Sequence, residues 1–167
     1  MAEETTITGI DNEDTQKDKY LTFHLAGEDY GIEIRFVIEI IGIQSITDVP
    51  DMPSFIRGVI NLRGKVIPVM DVRARFSIDA RDYDDRTCII VVNIDGTEVG
   101  LVVDEVSEVA DIPETNVEPP PKTSKNNENS YIQGMGKINN DVKILLDVQK
   151  LLFSAEMQEL VATVDEQ

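Results

Sequence analysis

The sequence predicts a mainly β protein in which two small barrels, copies of one duplicated module, pack together. Three observations carry this. Aromatics make up 5% of the 167 residues and Trp is absent, so Val, Ile and Leu must fill the interior, and β-branched side chains favour strands. Apolar residues alternate at period two in short runs broken by Gly-containing turns. The second half of the chain can also be laid on the first. A shift of 69 places Gly27 on Gly96, Tyr30 on Val99, Gly31 on Gly100, Ile34 on Val103, Val37 on Val106 and Glu39 on Glu108. A shift of 76 places Gly58 on Gly134, Val66 on Val142, Asp71 on Asp147, Val72 on Val148 and Phe76 on Leu152. The polar, proline-led stretch 119–130 supplies the insertion between the two shifts. Modules this small gain stability by packing together, and closing each sheet removes exposed edges.

Residues 1–19 are acidic, polar and aperiodic, the composition of a disordered tail. Leu21, Phe23 and Leu25 alternate with Thr22, His24 and Ala26 in a first strand, which turns at Gly27-Glu28-Asp29 into a second through Ile34. Residues 36–43 are too β-branched for a helix and read as a turn leading into a third strand. A connector with two prolines follows, with at most one helical turn over 53–56. Two apolar runs, 59–62 and 66–72, then flank Arg63-Gly64-Lys65 as a hairpin. A short amphipathic helix over 72–78 precedes an acidic loop at 79–85. The first module therefore spans about 20–85 and the second about 86–152. Val148, Leu151, Leu152, Ala155, Leu160 and Val161 predict a C-terminal helix over about 148–161, with 162–167 frayed.

Charge and chemistry narrow the function classes. A formal net charge of −17 argues against general binding to a phosphate backbone. Against it, Arg57, Arg63, Lys65, Arg73 and Arg75 concentrate in one hairpin beside Asp71. That island is either a solvated hairpin offsetting acidic surroundings or a contact site for an acidic protein. A small-barrel ligand or oligonucleotide-binding module using residues 57–75 is the alternative, with few aromatics for base stacking. Cys88 is the one cysteine, so no disulfide forms within the chain, and a buried inert thiol is expected. No leader or apolar run of about 18 residues is present, which predicts a cytoplasmic protein.

The catalytic inventory is poor. His24 is the sole histidine, set between Phe23 and Leu25. Ser45, Ser54, Ser77 and Ser107 lack a G-x-S-x-G setting, and no phosphate-binding glycine motif occurs. Asp104, Glu105 and Glu108 lack the alternating ligand spacing of a calcium loop. No enzyme activity, metal or cofactor is expected. Val37 and Val106 are mates under the repeat, as are Glu39 and Glu108; they either line a groove between the modules, suited to an amphipathic helix, or the valines are core.

Residues 29–34, 37–42 and 55–73, with the turn Asn61-Leu62-Arg63-Gly64 as the sharpest signature, resemble the CheW coupling proteins of bacterial chemotaxis. The resemblance continues through 99–109 and 144–152. It implies two SH3-like five-stranded β subdomains without enzymatic activity. It implies a scaffold joining the cytoplasmic tip of a chemoreceptor to the regulatory domain of the histidine kinase CheA, reaching the membrane through the receptor array and binding no nucleic acid. By position, Val37, Glu39, Arg63, Val106 and Val109 would belong to the receptor-facing groove, and Ile46, Arg57 and Gly58 to the kinase contact. Glu118-Pro119-Pro120-Pro121 departs from the Arg-Pro-x-Pro of many relatives, reversing a charge implicated in lateral ring contacts. The CheA regulatory domain and CheV share this fold; without an ATP-binding or receiver domain the chain reads as a free-standing coupler. In the echo at 133–152, Asn139 replaces Arg63 and Gln149 replaces Arg73, so the arginines are the candidates for partner contact.

Overall fold

The computed structural model describes residues 16–120 and 131–152. The chain runs β1 (Lys19–Leu25), β2 (Glu28–Glu33), β3 (Val37–Gly42), β4 (Ile56–Leu62), β5 (Lys65–Asp71), α1 (Val72–Arg75), β6 (Cys88–Ile94), β7 (Thr97–Val103), β8 (Glu105–Asp111), β9 (Val117–Glu118), β10 (Ile132–Ile138), β11 (Asp141–Leu146) and α2 (Val148–Leu152). The run at 36–43 is a 3-10 turn at Ile34–Phe36 followed by β3, as its β-branching predicts. Helix α1 is shorter than the 72–78 expected. Of the helix expected over 148–161, α2 is the described part. Residues 153–167, 1–15 and 121–130 lie outside the described residues, and with them most of the two tails and of the loop.

The strands form two sheets, ordered β8-β1-β2-β11-β10-β9 and β3-β6-β7-β5-β4. The duplication is visible in the pairing. Strand β1 pairs with β8 as β6 pairs with β3, and β2 lies parallel to β11 as β7 lies parallel to β5. Each sheet therefore takes a hairpin from the other half of the chain. The division into 20–85 and 86–152 does not hold in space: β1–β2 sits with β8 to β11, and β6–β7 with β3 to β5. Hairpins with the same apolar pattern and turn satisfy either copy, so a repeat does not say which copy receives them.

Turn chemistry sets the hairpins. Ala26-Gly27, Arg63-Gly64 and Asp95-Gly96 each place two successive residues at positive φ, the requirement of a two-residue type I′ turn. The Asn61 and Asn93 side chains accept the Gly64 and Gly96 amides at 2.8 and 3.0 Å, fixing two of the bends. Matched aspartates in the repeat prove to be helix caps. Asp71 accepts the Ala74 amide and Asp147 the Lys150 amide, each one turn into its helix.

Three apolar clusters follow from the exchange. Ile60, Ile67, Val69, Ile89, Val91 and Val102 fill the first barrel, and Tyr20, Ala110, Ile112 and Leu145 the second. Phe23, Leu25, Ile32, Met70, Ile90, Val92, Leu101, Leu146 and Leu151 belong to a larger core between them. Strand β6 alternates Ile89 and Val91 into one barrel with Ile90 and Val92 into the shared core, so all four are fully buried. Its unbroken apolar run is that of a strand covered on both faces. The barrels are unequal because Gly136, Lys143 and Thr22 stand in the second where Ile60, Ile67 and Val91 stand in the first. Lys143 is 9% exposed and donates to Asp29 at 2.7 Å, while His24 also bonds Asp29. The Lys143 hydrogen bond is the main reason the Asp29 carboxyl sits below its ordinary value. Cys88, expected to be buried, is only partly so, with its Sγ 3.3 Å from the Arg86 carbonyl.

The exchange makes each barrel incomplete without the other half. Residues 1–85 and 86–167 expressed separately are expected to show no cooperative thermal transition by circular dichroism. Mixing them should restore one.

Candidate functional site: the rim of the shared core

Strands β3 and β8 are the end strands of the two sheets. Val37 lies opposite Val92 and Ile40 opposite Ile90, both core residues; Val106 lies opposite Phe23 and Val109 opposite Leu21, also core residues. Directly opposed residues share a face, so all four side chains face the core between the barrels. Val37 and Val106 pack against it, whereas Ile40 and Val109 stand at its rim, 43% and 52% exposed. Val37 and Val106 therefore pack against the core, and the open apolar positions on this side are Ile40 and Val109.

Residues three apart on a regular strand point to opposite faces. Here a register shift lies between Val37 and Glu39, and another opposite Leu21 and Phe23 in β8. These bulges turn Ile40 and Val109 onto the same side as Val37 and Val106. Strict period-two reading misses Ile40 for this reason. The shift of 69 would have found it, because it places Ile40 on Val109.

Glu39, a quarter exposed, sits on the other face of β3 and receives both terminal nitrogens of Arg63, one at 3.3 Å. The Arg63 side chain is 70% exposed on its turn. Glu39 and Arg63 thus form a charged pair beside the apolar rim, with Glu39 raising the guanidinium pKa.

Ile46, Arg57 and Gly58 also come together. The chain leaving β3 reaches β4 through paired Thr47 and Val59 backbone bonds of 2.8 and 2.9 Å, which cover the free edge of the sheet. Gly58 is buried at this crossing with φ +144, and a Cβ there would lie 2.0 Å from the Thr47 carbonyl oxygen and 3.1 Å from Ile46 Cγ2. Its side-chain absence is a packing requirement. Ile46 packs into the first barrel, and Arg57 is exposed with its guanidinium 5.6 Å from the Tyr83 ring centre. Of these three, only Arg57 carries a charged side chain, and it is exposed.

The basic island is dispersed by the fold. Arg63 pairs with Glu39, Lys65 with Glu98 at 3.2 Å, and Arg73 with Asp104 through bonds of 2.8 and 2.7 Å. Arg75 lies against Phe55 and Tyr131. The five cations do not form one patch for a phosphate chain. Asp104 also accepts the Ala26 amide at 3.0 Å and lies 3.3 Å from Arg81. It is committed to clamping the β1–β2 turn onto α1. Burial alone raises its carboxyl, but the hydrogen bonds from Arg73 and Ala26 and the charges of Arg73 and Arg81 outweigh that and hold it below its ordinary value. Glu118, the reversed charge ahead of the loop, is exposed and bonds Lys137 at 2.5 Å. Among the described residues no helix is long and apolar enough to cross a membrane, and no cluster of His, Cys, Asp and Glu could hold a metal ion.

A family model described as CheW-like domain matches residues 19–156. The chain belongs to the CheW-like domain family. It is similar to the chemotaxis protein CheW of Klebsiella aerogenes, 38% identical over 94% of each chain. The chemotaxis protein CheW of Bacillus subtilis is 32% identical over 86% of this chain and 92% of its own. The crystal structure of the scaffolding protein TtCheW from Thermoanaerobacter tengcongensis is 38% identical, covers 83% of this chain and 94% of that one, and superposes with a TM-score of 0.75. These CheW names denote chemotaxis and scaffolding proteins rather than enzymes, and the two-barrel β fold agrees with the class read from the sequence.

Asp104→Asn is expected to cost about 2–3 kcal/mol in urea unfolding, because it strips a charge partner from half-buried Arg73. The folded Asp104 carboxyl is depressed, so its contribution is present above the unfolded value of about 4 and is lost as pH falls through the folded pKa. The unaltered chain should therefore lose its stability advantage over Asp104→Asn in acid. Gly58→Ala should cost about 2–4 kcal/mol through strain and overpacking, measured by the same unfolding curves.

Proposed function

We propose that this protein is a non-catalytic adaptor that couples the cytoplasmic tips of chemoreceptors to the regulatory domain of the histidine kinase CheA. The observation that carries the reading is the rim of Val37, Ile40, Val106 and Val109 flanked by the Glu39–Arg63 pair, in a chain of the CheW-like domain family. Two end strands presenting apolar residues beside a fixed charge pair suit one face of an amphipathic helix, such as a receptor coiled-coil tip offers. The valines supply buried area. Glu39 and Arg63 supply orientation, since charged groups at the edge of an interface act on specificity and encounter more than on affinity.

The kinase contact is assigned to the corner of Ile46, Arg57 and Gly58, where Arg57 makes the contact and Gly58 shapes the backbone beneath it. An adaptor of this kind works in the cytoplasm, at the membrane through the receptor array, with no cofactor.

The reading is tested by co-precipitation at physiological salt with a receptor cytoplasmic fragment and with the kinase. Both should bind, and failure to capture either overturns it. Ile40→Asp and Val109→Asp are expected to weaken the receptor fragment tenfold or more, on the order of a central interface residue, and to leave kinase binding unchanged. Arg57→Glu should show the opposite selectivity, and Arg63→Glu should weaken a complex while leaving the thermal transition in place. Isothermal titration of each variant with each partner separates these effects.

A further inference from the structure

A second apolar recess lies away from the β3–β8 rim, where β2, α1 and the β10–β11 hairpin meet. It is a cavity of about 250 Å³ lined by Tyr30, Phe76, Ile78, Tyr131, Ile132 and Ile144, with Leu146 beneath. The aromatic rings form a continuous stack. Centroids are 5.8 Å apart for Phe23 and Tyr30, 5.5 Å for Tyr30 and Phe76, and 5.0 Å for Phe76 and Tyr131. At its edge the Arg75 guanidinium sits 5.2 Å from the Tyr131 ring centre and 5.0 Å from that of Phe55.

Arg75 has an unusual position in so acidic a chain. Its Nε is buried with no hydrogen-bond partner, and among the described residues no carboxylate lies within salt-bridge distance of it. Arg35, Arg63, Arg73 and Arg81 each hold an acid, and Arg57 and Arg86, like Arg75, hold none among the described residues; the buried Nε is what sets Arg75 apart. Two rings attract a guanidinium by its charge, but its buried Nε–H is left without an acceptor, and a buried donor without an acceptor is costly. The recess therefore has an aromatic wall, and one of its rings, Tyr131, is packed by a guanidinium that holds no acid among the described residues.

Size decides what kind of ligand fits. Small-molecule sites occupy about 300–1,000 Å³, and this cavity is smaller, on the scale of a single large side chain. Anchors of that size are how a protein partner seats itself. We propose that this recess is a docking site for a partner protein that inserts one aromatic or large aliphatic side chain against Tyr30, Phe76 and Tyr131 and pairs a neighbouring carboxylate with Arg75. The surface is separate from the rim assigned above to the receptor, so its failure and the failure of the adaptor reading are distinguishable.

The probe is acetyl-Phe-Glu-amide, compared with acetyl-Phe-Gln-amide, titrated into the ¹⁵N-labelled full-length protein and followed by NMR. The expected result is saturable shifts at Tyr30, Phe76, Ile78, Tyr131 and Ile144, with the Glu peptide about fivefold tighter because its hydrogen bonds to Arg75 are charge-assisted. Arg75→Gln should remove the difference between the peptides, and Arg75→Lys should keep part of it. If Arg75→Gln does not fold, the peptide pair on the unaltered chain and on Arg75→Lys decides. Equal affinity for the two peptides, shifts at the β3–β8 rim instead, or absence of saturable binding overturns the proposal. So do nuclear Overhauser contacts placing residues 153–167 of this chain in the recess.

Discussion

The rest of the structure depends on the burial of strand β6 on both of its faces. Ile89 and Val91 complete the interior of one barrel while Ile90 and Val92 form the floor of the core that joins it to the other. Because β1 occupies the equivalent place in the second sheet, the two barrels are built around each other's hairpins. Hydrophobic burial is roughly proportional to the apolar area removed from water, and a strand covered on both sides contributes twice to that total. The inter-barrel core is consequently as fundamental to the fold as either barrel. The relative position of the barrels, and hence the geometry of any surface spanning them, follows from it.

The second constraint is geometric. A β-strand offers alternate residues to each face, and two adjacent contacts on one face must be an even number of residues apart. The rim breaks that rule twice, in β3 and again in β8, by register shifts at positions related by the repeat. Further shifts beside Gly58 and Gly134 are likewise related. Four irregularities obeying the duplication's symmetry are features of the module. Three of them lie in β3, β4 and β8, strands at the ends of the sheets, where bulges commonly re-aim side chains.

Electrostatics here is chiefly a matter of assignment. A chain of net charge −17 has more acids than it has cations to satisfy, and the fold distributes its few arginines singly. Arg73 is consumed by the junction beneath the β1–β2 turn, and Arg63 is held by Glu39 while still facing solvent. The asymmetry between Arg63 and Asn139, or between Arg73 and Gln149, thus has two different meanings. One arginine is available at the surface; the other locks two segments of the chain together. Residue type and repeat position alone would have treated them alike.

Much of the fold was legible in the sequence. The β-branched composition, the Gly-containing turns and the shifts of 69 and 76 specify the strands, the hairpins, the duplication and the match of Asp71 with Asp147, because each depends on local periodicity or on the chain's similarity to itself. The segments 29–34, 37–42, 55–73, 99–109 and 144–152 together, with the turn Asn61-Leu62-Arg63-Gly64 as the sharpest, likewise carried the family resemblance. What the tertiary structure alone decided was which half receives each hairpin, that bulges in β3 and β8 turn the repeat mates Ile40 and Val109 to the side of Val37 and Val106, and that the five basic residues of 57–75 have separate fates. The reason is physical. Local pattern fixes which residues are apolar and where the chain turns, whereas partner strands, bulges and ion pairs are settled by contacts between residues distant in sequence, whose alternatives look the same until the core is closed.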